Sequence, residues 1–408
     1  MVGTSTMALL RVAILCGLCA TAHANTTAVL AAQQATSAAG TPSTTGRIYD
    51  MTPPLPLPDT VSAPNLARVR IAVLLPLGSA TLARAAGAVR SGFEAAYRHD
   101  RQDLVIDVIA TGETPAAVLG AYADASATHD IVVGPLTRSG VTAIAQRGAI
   151  LKPTVALSQP DSTSDSETLL PPNMLSIGLS IEDEARQSAS ALADDATLRN
   201  AFVVAGSAAW QKRAARAFTA EWQRQGRSAQ SMELSISAGN VSASGLLQLR
   251  KRLQAESPAF LFVALDAEQT RQVRSAIGHD AVIHGTSQLN PYWLDNREPS
   301  ETATELNGVH LLDIPWQLQP DHPAVMIYPH PLVAVDQKRS ADLERLYALG
   351  IDAYRVVLEI ATGRTDFEID GVTGRLSISV GKGPSRFERV SQPAMYQNGL
   401  VVPVLGTR

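Results

Sequence analysis

The sequence is poor in cysteine, in aromatic residues and in excess charge of either sign. Its 408 residues include two cysteines, and 5% of the chain is aromatic. Basic residues number 34 and acidic residues 38, so the net charge is -4. A chain that binds nucleic acid needs a basic surface to follow the phosphate backbone, and this balance supplies none. We therefore expect no nucleic-acid partner.

Both cysteines fall in a stretch that is typical of an export signal. Residues 1–24 carry a positive charge at Arg11, an apolar core over 12–18, and a small-x-small cleavage site over 22–24. The apolar core is shorter than the roughly 20 residues that a membrane-spanning helix needs. Removal of this signal leaves a mature chain without cysteine. That excludes a disulfide, a thiolate nucleophile and a zinc–cysteine site.

The cysteines match a lipid-attachment site poorly, because Leu15 precedes Cys16 and Leu18 precedes Cys19. We expect export to the periplasm, with peripheral contact to a membrane or none; an outer-membrane lipoprotein is the alternative. Residues 25–66, rich in Ala, Thr, Ser and Pro, are predicted to form a disordered tether.

Catalytic and metal-binding patterns are also missing from the sequence. It contains no Gly-x-Ser-x-Gly elbow, no phosphate-binding Walker loop and no Gly-x-Gly-x-x-Gly after a strand. His310, His322 and His330 lie within 21 residues, but their spacing matches no metal-binding pair on a helix. The acidic run 182–184 fits the first turn of a helix, where carboxylates stabilise the helix dipole. We predict no enzyme activity, no cofactor and no metal.

What the chain has is a series of short apolar segments alternating with amphipathic ones. Strands are predicted at 69–75, 104–109, 130–134, 153–157, 174–178, 201–205, 232–237, 259–265, 281–284 and 308–314. Helices are predicted at 82–98, 181–195 and 339–361, and a hairpin at 375–379 and 386–390. Strands that are apolar throughout are buried on both faces, as in a parallel sheet covered by helices.

This alternation predicts an α/β protein with two lobes, each a mostly parallel sheet flanked by helices, and several crossovers between them. Lobe 1 is predicted to hold residues 67–180 and 317–362. Lobe 2 is predicted to hold residues 181–316 and 363–408, and the crossovers fall near Ser180, Trp316 and Gly363.

Loops that follow parallel strands line the cleft of such proteins. Polar and small residues occupy these positions and are the candidates for binding a ligand or partner: Ser79, Thr81, Gly134, Pro135, Thr137, Ser158, Gln159 and Ser287. The alternative for the Gly and Pro residues is that they only form tight turns.

A further pattern is an ordered series of motifs, namely Ile71–Leu77, Ala88–Tyr97, Val132–Leu136, Val155–Ser158, Gly178–Gln187, Leu306–Val309, Asp313–Trp316, Leu349–Tyr354 and Gly371–Ser377. Taken in order, these segments resemble the C-terminal domain of penicillin-binding-protein activators, the LpoA type of the LppC family. The resemblance runs from about residue 68 to 390. It implies a type I periplasmic-binding-protein fold.

The resemblance also implies a function, namely a non-enzymatic regulator of peptidoglycan synthesis that contacts a class A (bifunctional) penicillin-binding protein. Full-length activators carry a helical repeat domain ahead of this one, where we expect only the tether 25–66. The alternative is a periplasmic receptor that presents an amino acid or another small ligand, bound in the cleft, to a transporter.

Overall fold

The structure is a computed structural model that describes residues 69–100, 102–161, 170–291, 303–331, 340–381 and 383–404. The predicted export signal and tether lie outside the described residues. No helix within the described residues is both long and apolar enough to cross a membrane.

Strands and helices alternate along most of the chain. The helices are α1 (Ala83–Asp100), α2 (Pro115–Thr128), α3 (Arg138–Ala145), α4 (Ile181–Ala193), α5 (Ala209–Arg224), α6 (Ala243–Glu256), α7 (Ala267–Ile277), α8 (Pro315–Leu318), α9 (Pro323–Met326) and α10 (Ala341–Ala361). The strands are β1 (Arg70–Leu75), β2 (Val105–Ala110), β3 (Ile131–Val133), β4 (Thr154–Ala156), β5 (Met174–Ser176), β6 (Asn200–Ala205), β7 (Ser228–Glu233), β8 (Ile236–Ser237), β9 (Asn240–Val241), β10 (Phe260–Ala264), β11 (Ile283–Gly285), β12 (Val309–Asp313), β13 (Asp366–Gly371), β14 (Gly374–Ser379), β15 (Arg386–Val390), β16 (Gln392–Gln397) and β17 (Leu400–Pro403).

Two sheets organise these elements. The first has the order β2-β1-β3-β4-β5, and all its strands are parallel. The second has the order β17-β16-β12-β11-β10-β6-β7, parallel from β7 to β12 and antiparallel at β16 and β17. Strands β1, β6 and β10 are almost wholly buried, as their continuous apolar runs predict. The predicted α/β class with mostly parallel sheets is confirmed.

Helices α1 and α10, about 250 residues apart in sequence, cross at very short range over the first sheet. Two glycines permit this approach. A Cβ at Gly92 would collide with the backbone carbonyl of Tyr347, and a Cβ at Gly350 with that of Val89. Helix α10 is thus part of the same hydrophobic core as β1. Within this core, Phe93 of α1 packs edge-on against Tyr354 of α10.

A separate antiparallel sheet, β13-β14-β15, follows α10. Its apolar face, including Phe367, Ile369 and Leu376, joins the hydrophobic core of the first sheet. After Val390 the chain passes into β16 of the second sheet. The lobe boundaries stay a prediction, and we propose from this packing that residues 366–390 belong with lobe 1.

Candidate functional site

The first predicted cleft residues, Ser79 and Thr81, lie in the loop between β1 and α1. The Ser79 Oγ accepts hydrogen bonds from the backbone N–H of Leu82 (2.7 Å) and of Thr81 (3.2 Å). Both hydroxyls donate to one oxygen of Glu113, Thr81 at 3.2 Å and Ser79 at shorter range. These groups start a helix and join two loops. Their contact with a ligand or partner stays a prediction.

Gly134, Pro135 and Thr137 form the turn from β3 into α3. The Gly134–Pro135 peptide bond is cis, and Gly134 has φ of +103°, a conformation that favours glycine. A side chain there would also meet the backbone of Leu74. Thr137 caps α3 by accepting from the N–H of Gly140 at 3.3 Å. The local structure of the turn accounts for these three residue types.

Ser158 and Gln159 follow β4, beside the start of α4. The carbonyl of Ser158 accepts from the Oγ of Ser176 at 2.9 Å, and the Nε2 of Gln159 donates to Asp183 at 3.4 Å. Gln159 alone among the predicted residues lines a cavity of about 550 Å³. The polar and charged residues lining this cavity are Arg138, Gln159, Ser176, Ser180, Glu182, Asp183, Arg186, Ser385, Arg386 and Glu388.

A carboxylate bridges two cationic side chains beside this cavity. Glu182, in the first turn of α4, lies 3.2 Å from Arg138 of α3 and 2.6 Å from Arg213 of α5. Burial favours the neutral acid, but the two guanidinium groups outweigh it and lower the pKa of Glu182. Because α3 packs on the first sheet and α5 on the second, this ion pair ties the two sheet assemblies together.

The last predicted residue, Ser287, belongs to a buried network behind the cleft. Its backbone N–H and its Oγ donate to the two oxygens of Glu184 at 2.8 and 3.0 Å. Burial and the nearby Asp313 raise the pKa of Glu184 to about 7, against the opposing effects of Ser287 and Arg345.

Arg345 is the centre of this network. Extending from α10, it donates to both carboxylate oxygens of Asp313 at the end of β12, at 3.0 and 2.7 Å. It also donates to the carbonyls of Ser287 (3.0 Å) and Asn290 (2.8 Å). Burial disfavours its charge, but Asp313 and the neighbouring acids outweigh burial and raise the pKa of the guanidinium further. A helix that packs on the first sheet is thereby bonded to the loops of the second.

A half-buried arginine joins the crossover segments. Arg389 donates to the carbonyls of Ile177 (2.7 Å) and Gly178 (3.1 Å), and to the Oγ of Thr373 (3.1 Å). Thr373 in turn donates to Asp352 of α10 at 2.6 Å. Burial lowers the pKa of Arg389 in spite of nearby acids. The connections between lobes are therefore held by charged side chains as well as by the chain itself.

Sequence reasoning missed Arg345 and Arg389. A lone arginine within an amphipathic helix or strand looks like a solvated residue, and only the fold shows its burial. Asp313 and Trp316 belong to one of the motifs that carry the family resemblance, and this is the signal in the sequence that points to the network.

The histidines of the 310–330 region serve separate packing roles. His310 stacks on His284 of the neighbouring strand, and His322 caps α9. His330 packs against Trp316. Across the described ranges, no three His, Cys, Asp or Glu side chains are grouped so as to hold a metal ion.

Comparison with solved structures defines the fold. A Chromobacterium violaceum protein assigned to a branched-chain amino acid ABC transporter is 33% identical, with a TM-score of 0.62 over 81% of this chain and 100% of its own. The C-domain of Haemophilus influenzae LpoA, described as a regulator of PBP1A, is 22% identical, with a TM-score of 0.64 over 82% of this chain and 100% of that domain. The chain has the two-lobed type I periplasmic-binding-protein fold.

Sequence comparison identifies the family. The family model "LppC putative lipoprotein" matches residues 59–399, and the chain belongs to this family. Among curated proteins, the penicillin-binding protein activator LpoA of Vibrio cholerae is 28% identical over 363 residues, which cover 80% of this chain. The match spans 57% of the length of that relative. The resemblance described above is confirmed.

Proposed function

We propose that this protein is a non-enzymatic regulator of peptidoglycan synthesis, which activates a class A penicillin-binding protein by direct contact in the periplasm. Membership of the LppC family supports this proposal, as do the names of the relatives, an activator in Vibrio cholerae and a regulator of PBP1A in Haemophilus influenzae. Export by the predicted signal is part of the proposal.

The observation that carries the proposal beyond the names is the buried bonding between the two sheet assemblies. A solute receptor of this fold works by closing two lobes on its ligand, so its lobes must move. Here Arg345 joins α10 to Asp313, Ser287 and Asn290 of the second sheet. Moving the lobes apart would break this buried, two-pronged ion pair and its hydrogen bonds to the two carbonyls. Such a molecule is suited to presenting a fixed surface.

The test uses the purified protein with the class A penicillin-binding proteins of the same organism. We expect co-purification of the two proteins and an increase in cross-linked peptidoglycan product from lipid-linked precursor. A solute-binding protein of the same fold is the control. The proposal is overturned if the protein binds no class A synthase and changes the transpeptidation of none.

The second candidate is a solute receptor, which the 33% identity to the Chromobacterium violaceum protein favours. A thermal-shift screen with amino acids separates the two functions, because a ligand at 100 times its Kd stabilises a folded protein by about 2.7 kcal/mol. A concentration-dependent rise in melting temperature with one amino acid would support the receptor. A uniformly flat screen supports the regulator.

A further inference from the structure

Strand β15 has one open edge, because it pairs with β14 and is the outermost strand of its sheet. Part of this edge is covered by one side chain. The amide of Gln187, on α4, donates to the carbonyl of Arg389 and accepts from the N–H of Ser391, both at 3.0 Å. The side chain thus makes the two hydrogen bonds that a neighbouring strand would make.

The side chain of Gln187 covers the edge of β15 at Arg389 and Ser391 and does not extend to Phe387. Residues in an antiparallel pair alternate between pointing their N–H and C=O at the partner strand and away from it. Arg389, opposite Leu376, points its carbonyl away from β14, and Phe387, opposite Ile378 two residues earlier, must do the same. The backbone N–H and C=O of Phe387 therefore face away from β14, toward the open edge of the sheet.

Phe387, whose backbone N–H and C=O face this open edge, lines the cavity of about 550 Å³ described above. Residues 385–388 form one wall of the cavity. Ser176 of edge strand β5 and the start of α4 form another. The Oγ of Ser385 is buried there and has no hydrogen-bond partner among the described residues. The volume lies in the range that suits a drug-sized ligand, which corresponds to a few residues of peptide.

Charge on either side of Phe387 indicates what such a ligand carries. Arg386 and Glu388 are both exposed and lie on the same face of the strand, two positions apart. A strand added beside β15 would place one side chain near each of them, two positions apart.

We propose that the edge of β15 at Phe387 is a binding site for a short extended peptide, which adds to the sheet as a further strand. The peptide carries an acidic residue opposite Arg386 and a basic residue opposite Glu388. Main-chain hydrogen bonds to Phe387 supply affinity, and the two charges supply the selectivity, as in other cases of strand addition. The site is independent of the proposed contact with a synthase.

The probes are two capped pentapeptides, acetyl-Thr-Lys-Val-Glu-Thr-amide and acetyl-Thr-Glu-Val-Lys-Thr-amide, titrated into the full chain by calorimetry. The first order suits an antiparallel strand and the second a parallel one. We expect one of them to bind. Methylation of the peptide amide that donates to the Phe387 carbonyl should weaken that binding about tenfold. This amide belongs to valine in the antiparallel peptide and to lysine in the parallel one. Failure of both peptides to bind would overturn the proposal.

A matched pair of variants tests the position. Phe387→Pro and Phe387→Ala both remove the ring, but only proline removes the N–H, and proline is tolerated at a strand edge where that N–H faces outward. We expect the proline variant to bind about tenfold more weakly than the alanine variant. Equal affinities would contradict the proposal. If the proline variant does not fold, the methylated peptide against the unaltered protein gives the same answer.

Discussion

Arg345 and Asp313 form a two-pronged ion pair that joins the two sheet assemblies. The Nε and Nη2 of the arginine lie 3.0 and 2.7 Å from the two carboxylate oxygens, and both side chains are almost fully buried. Two nitrogens meeting two oxygens in one plane fix direction as well as distance.

Replacement of Arg345 by Met should destabilise the protein strongly. Methionine fills a similar volume but leaves Asp313 buried and without its cation, which costs about 3–5 kcal/mol in the free energy of unfolding. Urea denaturation followed by circular dichroism measures the loss. Arg90→Ala is the control, since Arg90 pairs with Glu94 on the surface of α1, and a pair of that kind contributes about 0.3–0.5 kcal/mol.

A double-mutant cycle shows whether the pair itself is responsible. In the variant that combines Arg345→Met with Asp313→Asn, the asparagine is neutral. The buried negative charge that Arg345→Met alone leaves without its cation is therefore absent. We expect the double loss to be smaller than the sum of the single losses by at least about 1 kcal/mol. Strict additivity would show that the two side chains act separately.

The crossing of α1 and α10 depends on Gly92. Alanine at this position would push its Cβ into the carbonyl of Tyr347, so the helices must separate. We expect Gly92→Ala to lower the free energy of unfolding by about 1–3 kcal/mol, as overpacking does elsewhere.

Gly87 lies in the same helix and supplies the matched control. Nothing lies within 4 Å of a Cβ built there. Gly87→Ala should raise stability by about 0.5–1 kcal/mol, because alanine costs less backbone entropy in a helix. If Gly92→Ala lowers the free energy of unfolding and Gly87→Ala raises it, contact between the two helices is the cause. A change of the same sign in the free energy of unfolding for both variants would rule this cause out.

Glu184 should make stability depend on pH near neutrality. Its pKa is raised to about 7 by burial, against an unfolded value near 4.5. The folded state therefore holds a proton that the unfolded state has lost, and this contribution is full below pH 4.5 and disappears as pH rises through 7.

The measurement is the melting temperature from pH 5 to pH 8. Glu184→Gln keeps the shape of the side chain and cannot ionise, so its curve should be flatter over this range than that of the parent. Parallel curves for the two proteins would assign the pH dependence to another group.

Elements with a clear apolar period could be predicted closely. Helix α10 was predicted at 339–361 and runs over Ala341–Ala361, and Ser180 caps α4 as expected. The strand predicted at 232–237 lies instead at Ser228–Glu233. This edge strand has mostly polar, exposed residues, so no apolar pattern marks its position.

The candidate site could be predicted only in part. Sequence order places small and polar residues after strands, and the structure has Ser79, Thr137 and Ser287 in such loops. What those side chains bond to depends on residues far away in sequence. Ser287 meets Glu184 103 positions earlier, and Gln187 meets Ser391 204 positions later. Pairings over these distances come from topology, which local patterns do not contain.

The close crossing of α1 and α10 also joins two segments that lie far apart in sequence, and contacts of this kind form slowly in folding. Residues 83–100 emerge early, but the helix that covers them is completed only at residue 361, after the parallel strands of the second sheet. The parallel strands of the second sheet all lie between residues 200 and 313 and pair with one another without α10. We therefore expect the parallel strands of the second sheet to become protected from hydrogen exchange during refolding before the packing of α1 against α10 is complete.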